Sequence, residues 1–263
     1  MNYYFMPRVP GLKGAVSLAD FPAIDGTLNW PDDMCAHVTW TDGENWQVRE
    51  LGNVASGQVH RFTEDDLPSD CPDHASPFLF LYPTNLPTKL DKLPLETFMN
   101  MSPAWRGNIQ LISETTAASY QGEYPSAMTA IPRGTLLSYS TFIQNGDGVK
   151  TSFVLPNLRQ KPAVEEGTIR FIGATTRTIY KDATVRSNHT SIVDLSDIDP
   201  VAGELVIAVS RDLTGIPLYL SYTPNFDQLS FEHTHPPAEL TVFGDRNSYQ
   251  KSMKSYWLTE AYS

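Results

Sequence analysis

No part of this chain runs far without a proline or a glycine. Twenty prolines and sixteen glycines are spread along 263 residues. Proline fixes φ and removes a backbone donor, while glycine weakens any regular element it interrupts. The chain is therefore cut into short pieces, and most of those pieces are rich in β-branched and aromatic residues, which suit strands. One C-terminal stretch escapes the punctuation. Ser248–Tyr262 places Tyr249, Met253, Tyr256, Trp257 and Ala261 on roughly one helical face, a stripe expected to dock on a sheet, with Asp245 or Asn247 as cap.

The pieces order themselves into a mainly β architecture. Residues 1–34 are rich in Pro and Gly and are expected to form an extended arm or irregular cover. Ala36–Trp40 and Trp46–Leu51 flank Asp42-Gly43, a hairpin turn signal. Gly57–Phe62, the apolar run Phe78–Tyr82, Gly107–Ile112 and Ala118–Tyr124 follow as strands, with a short helix expected around Leu95–Met99. Leu136–Gln144 and Val149–Leu155 flank Asn145-Gly146, which predicts a second hairpin. Gly167–Ile172, Arg177–Tyr180, Ser191–Val193, Glu204–Val209 and Pro217–Tyr222 continue at near-regular spacing, the rhythm of a sandwich.

The two halves also echo one another. Ala36–Trp40 is placed like Gly167–Phe171, Val59–Leu67 like Asn188–Leu195, Phe78–Tyr82 like Glu204–Val209, and Ser119–Pro125 like Ser230–Pro236. The expected fold is two tandem antiparallel β-sandwiches, Ig-like or jelly-roll-like, with a possible internal duplication and one C-terminal helix. The expected domains are residues 1–130, including the arm, and residues 131–263, including the helix.

Charge narrows the partners. A net charge of −11 repels nucleic acid and anionic membrane alike. No apolar run approaches the roughly 18 residues of a membrane span, and the N-terminus lacks the pattern of a signal peptide. Two cysteines, Cys35 and Cys71, are too few for a disulfide framework, so a cytoplasmic chain with reduced thiols is expected.

The densest chemistry lies in Phe231–Glu239. In an extended strand His233 and His235 share a face and Glu232 takes the other, until Pro236-Pro237 ends the ladder. With Glu239, the two imidazoles form a candidate site for a divalent transition metal: Zn, Fe, Mn or Ni. The string His233-x-His235-x3-Glu239, followed by Gly244, resembles the first metal motif of cupins over about a dozen residues. It lacks the upstream glycine and a later histidine, so the family is not assigned. The repeat makes Glu123 and Tyr124 first-half counterparts of residues within the His233–His235 stretch. A weaker zinc set is Cys35, His37, Cys71 and His74.

Trp30, Trp40, Trp46, Trp105 and Trp257 offer flat faces for sugar stacking if they are not core. Trp105-Arg106, between Pro103 and Gly107, is the pair most expected at a surface. Three functions follow. The first is a non-catalytic binding or assembly module with a polar pocket between the two halves, lined by Glu123, Tyr124, Trp105, Arg106 and Glu232, with glycan as ligand. The second is a metal-dependent enzyme of hydrolase- or cupin-like chemistry. The third is a structural subunit of a homo-oligomer.

Overall fold

The computed structural model describes residues 2–20, 33–95, 107–131, 134–140, 143, 145–146, 148–233 and 246–263. In chain order, the strands of the first half are β1 (Asn2–Phe5), β2 (Lys13–Ala19), β3 (Asp33–Thr41), β4 (Trp46–Ala55), β5 (Val59–Thr63), β6 (Phe78–Tyr82), β7 (Lys89–Leu90), β8 (Gly107–Ile112), β9 (Ala117–Gly122) and β10 (Tyr124–Pro125), then the short helix α1 (Ser126–Thr129). The second half has β11 (Leu136–Ser140), β12 (Lys150–Asn157), β13 (Glu166–Gly173), β14 (Ile179–Arg186), β15 (His189–Asp194), β16 (Val206–Ser210), β17 (Leu218–Tyr222) and β18 (Leu229–His233). Helix α2 (Arg246–Tyr262) closes the chain. The protein is mainly β, with four antiparallel sheets among the described residues.

Two compact units result. The first holds sheets β10-β1-β6-β3-β4-β7 and β5-β2-β8-β9, and the second holds β11-β16-β13-β14 and β15-β12-β17-β18. With β7 and β10 set aside, eight strands remain in each unit among the described residues. Numbered along the chain, they pair as 1-6-3-4 and 5-2-7-8 in both units. The same topology therefore occurs twice, with eight strands split four and four as in a β-sandwich. The sequence echoes fall on matching strands: β3 with β13, β5 with β15, β6 with β16 and β9 with β18.

Alternation explains the cores. In the second unit Phe153, Leu155, Ile169, Phe171, Val206, Ala208 and Tyr219 come from both sheets into one buried cluster. Phe153 and Phe171 meet edge to face, with centroids 5.4 Å apart. In the first unit the two sheets approach so closely that a Cβ on Gly107 would lie 2.5 Å from the Tyr4 ring. Glycine is required there by space.

The first unit is not continuous in sequence: it takes in Leu158–Val164 and Asn188–Thr190 besides Met1–Pro132. Trp46 Nε1 donates to the Gln160 carbonyl at 2.8 Å, and Gln160 N–H donates to the Thr129 carbonyl at 2.7 Å.

Three local expectations are corrected or fall outside the described residues. Asn2–Phe5 and Lys13–Ala19, expected within an irregular arm, are ladder strands. Among the described residues, β11 and β12 do not pair as the hairpin expected across Asn145-Gly146. β11 pairs with β16 in one sheet, while β12 pairs with β17 in the other. A turn there serves a crossing between sheets, and Asn145 Nδ2 bonds the Leu195 and Ile198 carbonyls instead. The helix expected around residues 95–99 lies almost wholly outside the described residues. The hairpin at Asp42-Gly43 is present, with Gly43 at φ +94°.

Candidate functional site

Among the described residues β18 is an edge strand of its sheet, paired antiparallel with β17. Register places His233 opposite Leu218, which in turn pairs with Val154. Both neighbours are fully buried and apolar. His233 itself is half-buried at the end of that row. Glu232 lies on the other face, as alternation requires, is exposed, and accepts a hydrogen bond from Ser230 Oγ at 3.2 Å. His235 and Glu239 lie outside the described residues, as do Trp105 and Arg106.

Among the described residues, no group of three His, Cys, Asp or Glu side chains could hold a metal. That removes the set Cys35, His37, Cys71 and His74, all of which are described. Cys35 and Cys71 are free and buried. Burial, with help from Glu50, pushes the Cys35 thiol up to about 12, the opposite of an activated nucleophile or ligand. Burial also raises Cys71, against the pull of Arg8.

Tyr124 is a core residue, 1% exposed and opposite Tyr3 in the β1–β10 ladder. Its phenol is pushed up to about 12 by burial, against lowering contributions from the Leu158 backbone and Arg159. Glu123 is half-buried and lies close enough to Tyr4 to help burial raise that phenol. Glu123 belongs to the first unit and Glu232 to the second. Trp40, Trp46 and Trp257 are core residues, and their rings are not offered to a ligand. Trp30 lies outside the described residues.

Two features are not evident from motifs. The first is the outer face of β5-β2-β8-β9. Register sets Thr63, Ala15, Gln110 and Ser119 in one row across the sheet, and Arg61, Ser17, Asn108 and Gln121 in the next. Arg61, Ser119 and Gln121 are exposed, and Asn108 Oδ1 is buried without a hydrogen-bond partner. No carboxylate occurs in either row of this acidic chain. In the second unit the corresponding face carries Ser152, Val154, Leu218, Leu220 and Phe231, all buried. The period-2 pattern of Lys13–Ala19 and Gly107–Ile112 carries this signal, but only pairing shows which residues share a row.

The second feature is the set of strand edges. Among the described residues, β5, β14 and β15 each end a sheet. Each also exposes a β-branched residue: Val59 at 69%, Ile179 at 49% and Ile192 at 37%. β5 and β15 hold the same place in the repeated topology.

No protein-family model matches the chain, and no curated protein is significantly similar to it in sequence.

Proposed function

We propose that this chain is a non-catalytic binding and assembly module, a structural subunit that associates with further copies of itself through its sheet edges. An edge strand presents unpaired N–H and C=O groups, and soluble proteins usually blunt such edges with charge, proline or cover. The observation that carries the reading is the exposure of Val59, Ile179 and Ile192 on three such edges. Each of these three edges carries one such residue beside charged neighbours, and an apolar side chain on an open edge favours strand-to-strand association. A cytoplasmic setting belongs to the same proposal, in keeping with two free thiols. Among the described residues no helix is long and apolar enough to cross a membrane.

Light scattering across a concentration series tests this. The expected result is a mass above the 29.3 kDa of one chain that returns to it when Val59, Ile179 and Ile192 are all changed to Lys. A wild-type mass that stays at one chain at every concentration would sink the proposal.

A second reading is favoured by the amide and hydroxyl rows over Ala15 and Ser17. A neutral, polyhydroxylated ligand such as a glycan suits donors and acceptors without carboxylates, and Ser119 and Gln121 expose such groups. A glycan array decides it, with Asn108→Ala and Gln121→Ala together expected to abolish any signal. The competing metal reading at His233, His235 and Glu239 is decided by element analysis of untagged protein.

A further inference from the structure

His37 stands in the middle of β3 and is 1% exposed. Its ring is stacked on Phe80 of β6, with centroids 5.3 Å apart and planes 18° apart. Phe80 in turn lies 5.1 Å from the Tyr3 ring of β1. His37 Nδ1 is 3.1 Å from the Cys35 carbonyl oxygen. A carbonyl only accepts, so Nδ1 carries the proton, and the neutral ring leaves a bare lone pair on Nε2. Nε2 is buried and has no hydrogen-bond partner among the described residues.

Among the described residues, the titratable groups on the strands beside it are few. On its own strand Cys35 donates its thiol hydrogen to Asn85 Oδ1 at 3.4 Å. On β4, Glu50 is the cross-strand partner of His37 and is exposed. On β6 the cross-strand partner is Phe80, and the nearest titratable side chain in that ladder is Tyr82, opposite Cys35.

We propose that His37 is an acid-sensitive trigger built into the first unit: a second proton, taken from solvent at Nε2, creates a charged N–H with no acceptor between β4 and β6, and the β3–β6 ladder opens to hydrate it. Burying an unpaired charge costs far more than burying the neutral ring. Burial holds His37 below the ordinary imidazole range, against the pull of the Cys35 carbonyl and Glu50. The sign follows from linkage. The folded pKa lies below the unfolded value of about 6.5, so the unfolded or opened state binds the extra proton. Stability of the first unit therefore falls as pH drops below that value, by up to about tenfold in the opening equilibrium per pH unit until the folded pKa is reached. The described histidines on the second unit's sheets, His189 at the start of β15 and His233 on β18, are both half-buried, so no fully buried imidazole equivalent to His37 occurs there among the described residues.

The test is peptide-resolved hydrogen exchange of the full chain between pH 7.5 and 5, corrected for the intrinsic pH dependence of exchange. The expected result is an approximately tenfold or greater loss of protection in β3 and β6, with β13 and β16 unchanged. His37→Phe, which keeps a ring to stack on Phe80, should flatten that profile, and so should His37→Gln, which supplies a second route if the Phe variant does not fold. Equal loss of protection in both units, or an unchanged acid profile in the folded variant, would overturn the proposal.

Discussion

A single residue, Asn188, shows how much one side chain holds in place. It is 1% exposed with φ at 59°, in the left-handed region that Asn tolerates better than most residues. Its Oδ1 accepts from Arg159 N–H at 2.7 Å, and its Nδ2 donates to the Lys161 and Ala163 carbonyls at 2.8 and 3.1 Å. Asn188→Ala leaves three backbone groups short of a partner and strains the turn. A loss of about 2–4 kcal/mol is expected in urea unfolding. Asn188→Gly should recover about 1 kcal/mol of that, because it relieves only the backbone term. Sequence alone shows an Asn-His-Thr string at this point and nothing of the bonds. The same limit applied to the candidate site. The opposed faces of Glu232 and His233 are legible from period 2, but the burial of Tyr124 and His37 depends on strands far away in sequence.

Among the elements, α2 shows a sequence expectation met through a largely predictable contact. Trp257 and Ala261 pack with Leu137, Ile172, Ile207 and Val209 on the outer face of the second unit's first sheet. Met253 is partly buried against them, whereas Tyr256, placed on the same stripe by periodicity, is 45% exposed. It is used differently: its hydroxyl accepts from Arg177 Nη2 at 2.8 Å. The Arg177 guanidinium also lies 4.3 Å from the Trp257 ring, and Arg170 and Arg211 lie 5.1 and 4.7 Å from the Tyr262 ring. Trp257→Ala is expected to destabilise the second unit by about 3–5 kcal/mol, because it empties a buried aromatic site. Loss of helical circular dichroism well below the main thermal transition would report the detached helix. The failed hairpin at Asn145-Gly146 is the converse case. Turn chemistry fixes a local reversal but not which sheet each arm joins.

At the scale of the molecule, the discontinuity of the first unit has a consequence for stability. Leu158 is fully buried, and Gln160 bonds the Leu93 N–H as well as Trp46 and Thr129. A chain ending at residue 132 lacks these partners. It is expected to bind a hydrophobic dye and to show no cooperative urea transition, whereas the full chain does neither the first nor fails the second; a sharp transition from the shortened chain would contradict this. By itself the sequence determined most of the short strands, the turn at Asp42-Gly43 and the C-terminal helix, since these rest on local periodicity and on the backbone limits of Pro and Gly. Only the tertiary structure decided which strands pair, that residues 158–164 and 188–190 complete the first unit, and which imidazole is sealed from water. Those outcomes depend on burial shared between segments distant along the chain, and no local pattern encodes that.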